Sequence, residues 1–345
     1  MKLVRTEDAV GQVLCHDITQ IIPGVVKDAV FRKGHIVTEE DIPVLLSVGK
    51  ENLYIWEKQE GMLHENEAAE ILRQICQGEH MHPSEVKEGK IELIADCEGV
   101  LKINTEKLNA VNNLGEMMIA SRHGNFPVKT GDKIAGTRII PLVIEEEKMQ
   151  KACEVAGKEP IFRILPYQKK KAGIVTTGSE VYYHRIEDKF TPVVIEKLKE
   201  CGVTEVKQIQ CNDDHEMITE AIQTLIEDGS DLIVCTGGMS VDPDDRTPLA
   251  IKNACMEVVT YGAPVLPGAM FMLAYCEKEG RQIPVMGLPG CVMYAKRTIF
   301  DLVLPRIMCD EKLHEKDFRL LGQGGLCLSC PVCTFPNCGF GKGGY

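Results

Sequence analysis

Two stretches of the chain combine residue types with spacings that can do chemistry. The first is Asp231–Asp245, DLIVCTGGMSVDPDD. Its apolar run from Asp231 to Cys235 reads as a buried strand. Gly237 and Gly238 follow; bare glycines let the backbone approach a ligand and offer N–H groups to an anion. Ser240 adds a hydroxyl. Asp242, Asp244 and Asp245 then supply hard oxygen ligands for Mg²⁺, or a general base. Strand, small residues, then acids is the order a phosphorylated ligand needs. An ordinary acidic strand-to-helix turn is the competing reading. The second stretch is the C-terminal run GQGGLCLSCPVCTFPNCGFGKGGY, which holds Cys327, Cys330, Cys333 and Cys338 at C-x2-C-x2-C-x4-C spacing. Four soft ligands so close together point to a metal. The successive two-residue gaps favour an iron–sulfur cluster over Zn²⁺, whose sites usually separate two Cys pairs by a longer loop. A free thiol tail is the alternative.

The elements around the first stretch alternate regularly. AGIVT at 172–176 reads as a strand ending at Thr177, Gly178, Ser179 and Glu180. Thr191 and Pro192 open a helix carrying Val194, Leu198 and Cys201. A strand at 203–210 follows. Asp213 and Glu216 form a capping box for a helix with Met217, Ile218, Ala221, Ile222, Leu225 and Ile226 on one face. After DLIVC comes a helix from Arg246, and IPVMG at 283–287 is another strand, with a helix after Gly290. The expected fold class is therefore α/β: a mostly parallel sheet with helices on both faces. Ligands bind such sheets at the carboxyl ends of the strands. The loops 176–180, 236–245 and 288–290, the last with Pro289 and Gly290, all fall at that end.

Four segments are expected: a small α+β module at 1–60, a helical and strand-rich part at 61–168, the α/β domain at 169–310, and a Cys-rich tail at 311–345. In the first, Thr6 caps a helix through Ala9, Val10, Val13 and Leu14, and 52–56 is a strand. In the second, 91–96 and 100–104 pair as a hairpin, and a helix from Thr105 runs through Met118 and Ile119. His64, His80 and His82 invite a metal reading, but His80 and His82 are two apart before Pro83 and so fall in a loop rather than one turn apart on a helix.

The chain has 345 residues and a net charge of −12, from 39 basic and 51 acidic side chains. That balance argues against broad nucleic-acid or membrane-surface binding. No apolar run reaches the roughly 18–20 residues of a membrane span, and no export signal is visible. A cytoplasmic protein is expected. Most of its 15 cysteines sit singly in apolar runs, as buried thiols do in a reducing compartment.

TTGSEV at 176–181, the Asp188 region, CNDD at 211–214, TGGMSVDPDD at 236–245, LPGAM at 266–270 and GLPG at 287–290 occur in one order. In that order they resemble the molybdopterin-binding domain of molybdopterin molybdenumtransferases, over about residues 170–308. The resemblance implies a protein of molybdenum cofactor biosynthesis that binds molybdopterin or adenylyl-molybdopterin and inserts molybdate, with Mg²⁺ assisting AMP release. It assigns phosphate binding to Thr177, Gly178, Ser179, Glu180, Gly237, Gly238 and Ser240, with Pro289 and Gly290 shaping the pocket floor. Asp188, Asp244 and Asp245 would hold Mg²⁺ or act as base. It also implies a homo-oligomer. Lys189-Phe190 replaces Ser-Asn, Cys291-Val292 replaces Asn-Pro, and Ala269-Met270 replaces Lys-Pro. DPDDRTP resembles instead the competence-damage-protein and molybdopterin adenylyltransferase branches, and the first of these implies a nucleotide pyrophosphatase. Two further readings follow: a non-catalytic carrier that docks to a molybdoenzyme client through its Cys-rich tail, and a pyrophosphatase.

Overall fold

Strand residues with apolar side chains at every position, rather than every second one, must be covered on both faces. The strands Lys171–Thr177, Leu232–Thr236 and Arg281–Leu288 are largely of this kind. The computed structural model describes residues 2–22, 26–55 and 60–343. It divides the chain into two compact units, which cut across the four expected segments.

The first unit comprises Met1–Asp96, Ile103–Arg122 and Gly131–Arg163. Its largest sheet runs Met81–Pro83, Ile91–Ala95, Lys133–Ile139, Met117–Ser121, all antiparallel. The helix Glu65–Cys76 buries Ala68, Ala69, Leu72 and Cys76. His64 caps that helix by accepting from the Asn66 N–H at 3.2 Å, and its Nε2 lies 2.8 Å from the Cys15 carbonyl. His82 pairs with Asp96.

Several local expectations are corrected here. Residues 6–8 form one 3₁₀ turn rather than a helix through Leu14. Gly11, at φ +81°, turns the chain out of the helical path. The helix from Thr105 stops at Asn112, and Met118 and Ile119 lie in a strand. Residues 91–95 and 99–103 do not pair with each other but enter different sheets. The strand near 52 is Asn52–Ile55, and Trp56 lies outside the described residues.

The second unit comprises Cys97–Lys102, His123–Thr130 and Ile164–Tyr345. Its elements are β1 (Lys171–Thr177), α1 (Ser179–Tyr182), α2 (Phe190–Glu200), β2 (Glu205–Cys211), α3 (His215–Glu227), β3 (Leu232–Thr236), α4 (Thr247–Ala254), β4 (Glu257–Tyr261), β5 (Met272–Lys278), β6 (Arg281–Leu288), α5 (Ile299–Met308) and α6 (Glu315–Arg319). The six-stranded sheet has the order β2-β1-β3-β6-β5-β4. The first four strands are parallel; β5 and β4 complete it antiparallel. The expected α/β fold with helices on both faces is what is seen. The hairpin-like edge of β4 and β5 is the addition, and the helix after Gly290 begins only at Ile299, behind a 3₁₀ turn.

Alternation divides the strand residues between two apolar cores. Ala172, Ile174, Leu232, Val234, Met286 and Leu288 pack with Val194 and Leu198 of α2 and Phe300, Val303 and Ile307 of α5. Val175, Ile233, Cys235 and Val285 pack with Ile218, Ile222 and Leu225 of α3 and Ile251 of α4. Each buried Leu or Ile contributes about 1.5–3 kcal/mol. The tail is no appendage: Leu313, Phe318 and Phe340 are buried in the first of these cores. Among the thiols, Cys255 and Cys276 are joined as a disulfide rather than free. Among the described residues no helix is long and apolar enough to cross a membrane.

Candidate functional site

The strands β1, β3 and β6 are adjacent and parallel, with Thr176 opposite Thr236 and Thr236 opposite Leu288. Their carboxyl ends therefore emerge side by side, and the three expected loops converge. A hydroxyl web locks these ends. Thr176 Oγ1 lies 2.8 Å from Thr191 Oγ1, and Gln208 Nε2 donates to both, at 2.9 and 3.2 Å. Thr177 Oγ1 donates to the Thr236 carbonyl at 3.1 Å and meets Thr247 Oγ1 at 3.1 Å.

The glycine pair is pressed onto this web. Gly237 and Gly238 have φ of +88° and +56°. A Cβ on Gly237 would stand 2.4 Å from the Thr177 carbonyl oxygen, and one on Gly238 2.7 Å from Thr247 Oγ1. Only glycine meets both the dihedral and the packing demand here. Among the described residues, no hydrogen-bond acceptor is paired with the amides of Gly238, Met239 and Ser240.

Above the pair lies a cavity of about 680 Å³. Its lining includes Gly237–Ser240, Asp245, Pro289 and Gly290. Phe190, Leu266–Met270, Cys291, Tyr294, Leu326 and Cys327 form the rest of the lining. Mostly apolar walls with a few convergent polar groups suit a flat heterocycle carrying an anionic arm. No Lys or Arg is among the lining residues. Neutral amides, not cations, are thus what the site offers an anion. Burial pushes the Cys291 thiol above its ordinary range, against a smaller lowering by a backbone hydrogen bond. It therefore stays protonated near neutrality.

Of the candidate residues, the cavity gathers Gly237, Gly238, Ser240, Asp245, Pro289 and Gly290. Thr177 lies beneath it, in the hydroxyl web. Gly178, Ser179 and Glu180 lie outside its lining, where α1 begins, and the Ser179 N–H is already bonded to Asp213 Oδ2 at 2.8 Å. Asp188 also lies outside. Its Oδ1 accepts from the N–H groups of Phe190 and Thr191, both at 3.0 Å, and its Oδ2 from Gln208 at 3.0 Å. It caps α2. Burial works against its charged form, but the hydrogen bonds from Thr191, Phe190 and Gln208 outweigh this and hold its carboxyl below the usual range. Asp244 is exposed on the turn, outside the lining.

Among the described residues, Asp245 is then the one carboxylate in the lining. Mg²⁺ binds nucleotide-type ligands through one or two carboxylates plus ligand phosphates and waters. One carboxylate beside free amides fits that mode and not a cage made by protein alone. Among the described residues no group of three or more His, Cys, Asp or Glu side chains is arranged to hold a metal. The four tail cysteines are accordingly not converged: Cys330 and Cys333 are exposed, Cys327 and Cys338 half-buried.

Phe190, Tyr294 and Leu326 carried no chemical signal in the sequence. Phe190 is placed by the cap of α2, and Leu326 by a bridge to Leu266.

Residues 173–308 match the family model described as "Probable molybdopterin binding domain", and residues 3–57 match "Domain of unknown function (DUF8806)". The matched span contains most of the cavity lining but not Leu326 and Cys327. The chain is 35% identical over 85 residues to a CinA-like protein of Mycobacterium sp. (strain MCS), covering 25% of this chain and 20% of the relative. It is 34% identical over 95 residues to a CinA-like protein of Mycobacterium avium (strain 104), covering 28% and 22%. The chain thus spans about a fifth of the length of these curated relatives. Among solved structures it is similar to the tungsten cofactor synthesizing protein MoaB from Pyrococcus furiosus, at 23% identity and TM-score 0.32 over 36% of this chain and 84% of that one. It is similar also to a molybdopterin biosynthesis protein from Mycobacterium abscessus, at 18% identity and TM-score 0.34 over 41% and 92%.

Proposed function

We propose that the second unit binds molybdopterin, or its adenylylated form, in the 680 Å³ cavity, and that the protein acts in molybdenum cofactor biosynthesis by molybdate insertion. The observation that carries this is the joining of unpaired amides at Gly238–Ser240 to apolar walls wide enough for a pterin. The match of residues 173–308 to a probable molybdopterin binding domain supports it. The amides hold the phosphate, Phe190, Met239 and Pro289 flank the ring, and Asp245 faces the pyrophosphate. Asp245 is the residue that would hold Mg²⁺ here, and the ion would supply charge neutralisation and Lewis-acid polarisation at the phosphate arm. Asp245 orients that arm, while Asp188 acts on the site only by capping the helix that presents Phe190.

A carrier reading is favoured by one observation: the lining has a single carboxylate and no cation. Such a site can hold an anionic pterin without turning it over. The two are separated by incubating the protein with adenylyl-molybdopterin, Mg²⁺ and molybdate. AMP released in step with bound pterin supports the transferase. Stoichiometric binding with no AMP supports the carrier, and no binding at all removes both.

A further inference from the structure

The tail closes on itself around the four cysteines. The Gly341 N–H donates to the Gly324 carbonyl at 2.9 Å, joining the two ends of the segment. Glycines let the backbones meet there: a Cβ on Gly343 would stand 1.4 Å from the Gln323 carbonyl oxygen, and one on Gly324 3.0 Å from that of Gly339. One end of the closed loop is fixed to the connection between β4 and β5. Leu266 N–H donates to the Gly325 carbonyl, and Cys327 N–H returns to the Leu266 carbonyl, both at 2.8 Å. On the other side Phe340 is buried, and the Phe335 ring lies 5.9 Å from Phe126 and 6.2 Å from Phe340.

Inside the loop is a second cavity, of about 550 Å³, and all four cysteines line it. Its lining includes Lys296 and Arg297 but no carboxylate. That is unusual company in a chain of net charge −12. Arg297 is already paired with Glu200 and Asp301, and Lys296 donates to the Pro331 carbonyl, so what the lining offers four thiolates is the absence of a competing carboxylate. Between its anchors the loop leaves the apolar side chains of Leu328 and Val332 77–78% exposed.

We propose that Cys327, Cys330, Cys333 and Cys338 ligate an iron–sulfur cluster within this loop. Each thiol gives up its proton as it bonds iron. A single Zn²⁺ draws four sulfurs to about 2.3 Å from one point. A cluster holds them apart at the corners of a larger core, which suits four thiols ringing a cavity of this size without converging. Drawing in Cys330 and Cys333 also folds Leu328 and Val332 toward the protein.

The position has a consequence for the other cavity. Pro267, Tyr294, Leu326 and Cys327 line both. A ligand bond at Cys327 therefore stiffens a wall of the candidate cofactor cavity.

The test uses the full chain, isolated without oxygen from iron-supplied cells. Iron, zinc and acid-labile sulfide are measured per chain, with the visible absorption and the electron paramagnetic resonance of the dithionite-reduced protein. Iron and sulfide in equal amounts, with the charge-transfer absorption of a cluster, is the expected result. Cys330→Ser and Cys333→Ser should each lower the iron and sulfide retained per chain, and the double variant should retain neither. Both side chains are exposed, so the fold should tolerate the change, which a thermal melt confirms. Cys153→Ser, exposed in the first unit, should retain full loading. Zinc without sulfide, a folded protein that takes up neither iron nor sulfide, or full loading of the double variant would each overturn the proposal. None of these measurements requires pterin binding.

Discussion

At the scale of single residues, glycines separate architecture from binding. Gly237 is held by its dihedral and by the Thr177 carbonyl, so Gly237→Ala should destabilise the protein by about 1–3 kcal/mol and disturb the cavity with it. Gly290 has an ordinary φ, and a Cβ there would meet nothing within 4 Å. Gly290→Ala should therefore leave the urea midpoint unchanged while its methyl enters the cavity and weakens pterin binding. The carboxylates divide the same way. Asp188→Ala removes a helix cap and should cost about 1–2 kcal/mol of stability. Asp245→Asn should cost little stability and abolish the Mg²⁺ dependence of ligand binding. The pH dependence follows from Asp188. Its folded-state pKa lies below the unfolded value, so its stabilisation is complete above the unfolded pKa and is lost as pH falls through the folded one. Acid unfolding curves of wild type and Asp188→Asn should thus diverge above about pH 4 and converge below it.

At the scale of elements, what was legible depended on whether one periodicity ruled the segment. The face of α3 was readable because Ile218, Ala221, Ile222, Leu225 and Ile226 all obey the helical period and all are buried. The apolar runs of β1, β3 and β6 were readable because both faces of a parallel strand are covered. Ala9 to Leu14 imitates a helix in spacing, yet Gly11 breaks it and leaves Val10 and Val13 exposed. Met118 and Ile119 continue the period of the helix before them but sit in a strand, because the chain has already turned at Gly115, φ +73°. The strand β4 is hidden because its pairing with β5 joins residues on either side of a long loop, whereas β5 turns tightly into β6 at Glu279-Gly280, both at positive φ, and that turn is a local signal. The tail was legible as chemistry, from its cysteine spacing, but not as structure. Nothing local told that Leu326 would bridge to Leu266 and help line the cavity. Leu326→Ala, at a side chain 61% exposed, should change stability by less than about 1 kcal/mol and weaken pterin binding several-fold. A carrier whose tail served only for docking would show no such loss. Across the helices, Lys197 of α2 meets Asp301 of α5 at 2.7 Å, both buried. Lys197→Met should cost about 2 kcal/mol in chemical denaturation, because Arg297, 2.8 Å from Asp301, still compensates part of the buried charge.

At the scale of the molecule, the candidate chemistry lies wholly within the second unit. The glycine pair, Asp245, Pro289, Gly290 and the cysteine loop all belong to Ile164–Tyr345. The family resemblance was carried by six motifs in order, and the structure gives a reason for that order. The turns after β1, β3 and β6 are neighbours only because the chain winds strand and helix alternately through one sheet. Departures from the motif acquire a physical meaning in the same frame. Phe190 supplies a wall where a small polar residue would supply a contact, and Cys291 supplies a neutral thiol. The central claim is that this cavity takes a pterin by its phosphate arm. It is tested most directly by titrating adenylyl-molybdopterin, with Mg²⁺, into wild type and Gly290→Ala under anaerobic calorimetry. The account predicts saturable one-to-one binding to wild type and at least about tenfold weaker binding to the equally stable variant. Equal affinity for the two, or no heat from folded wild type, would contradict it.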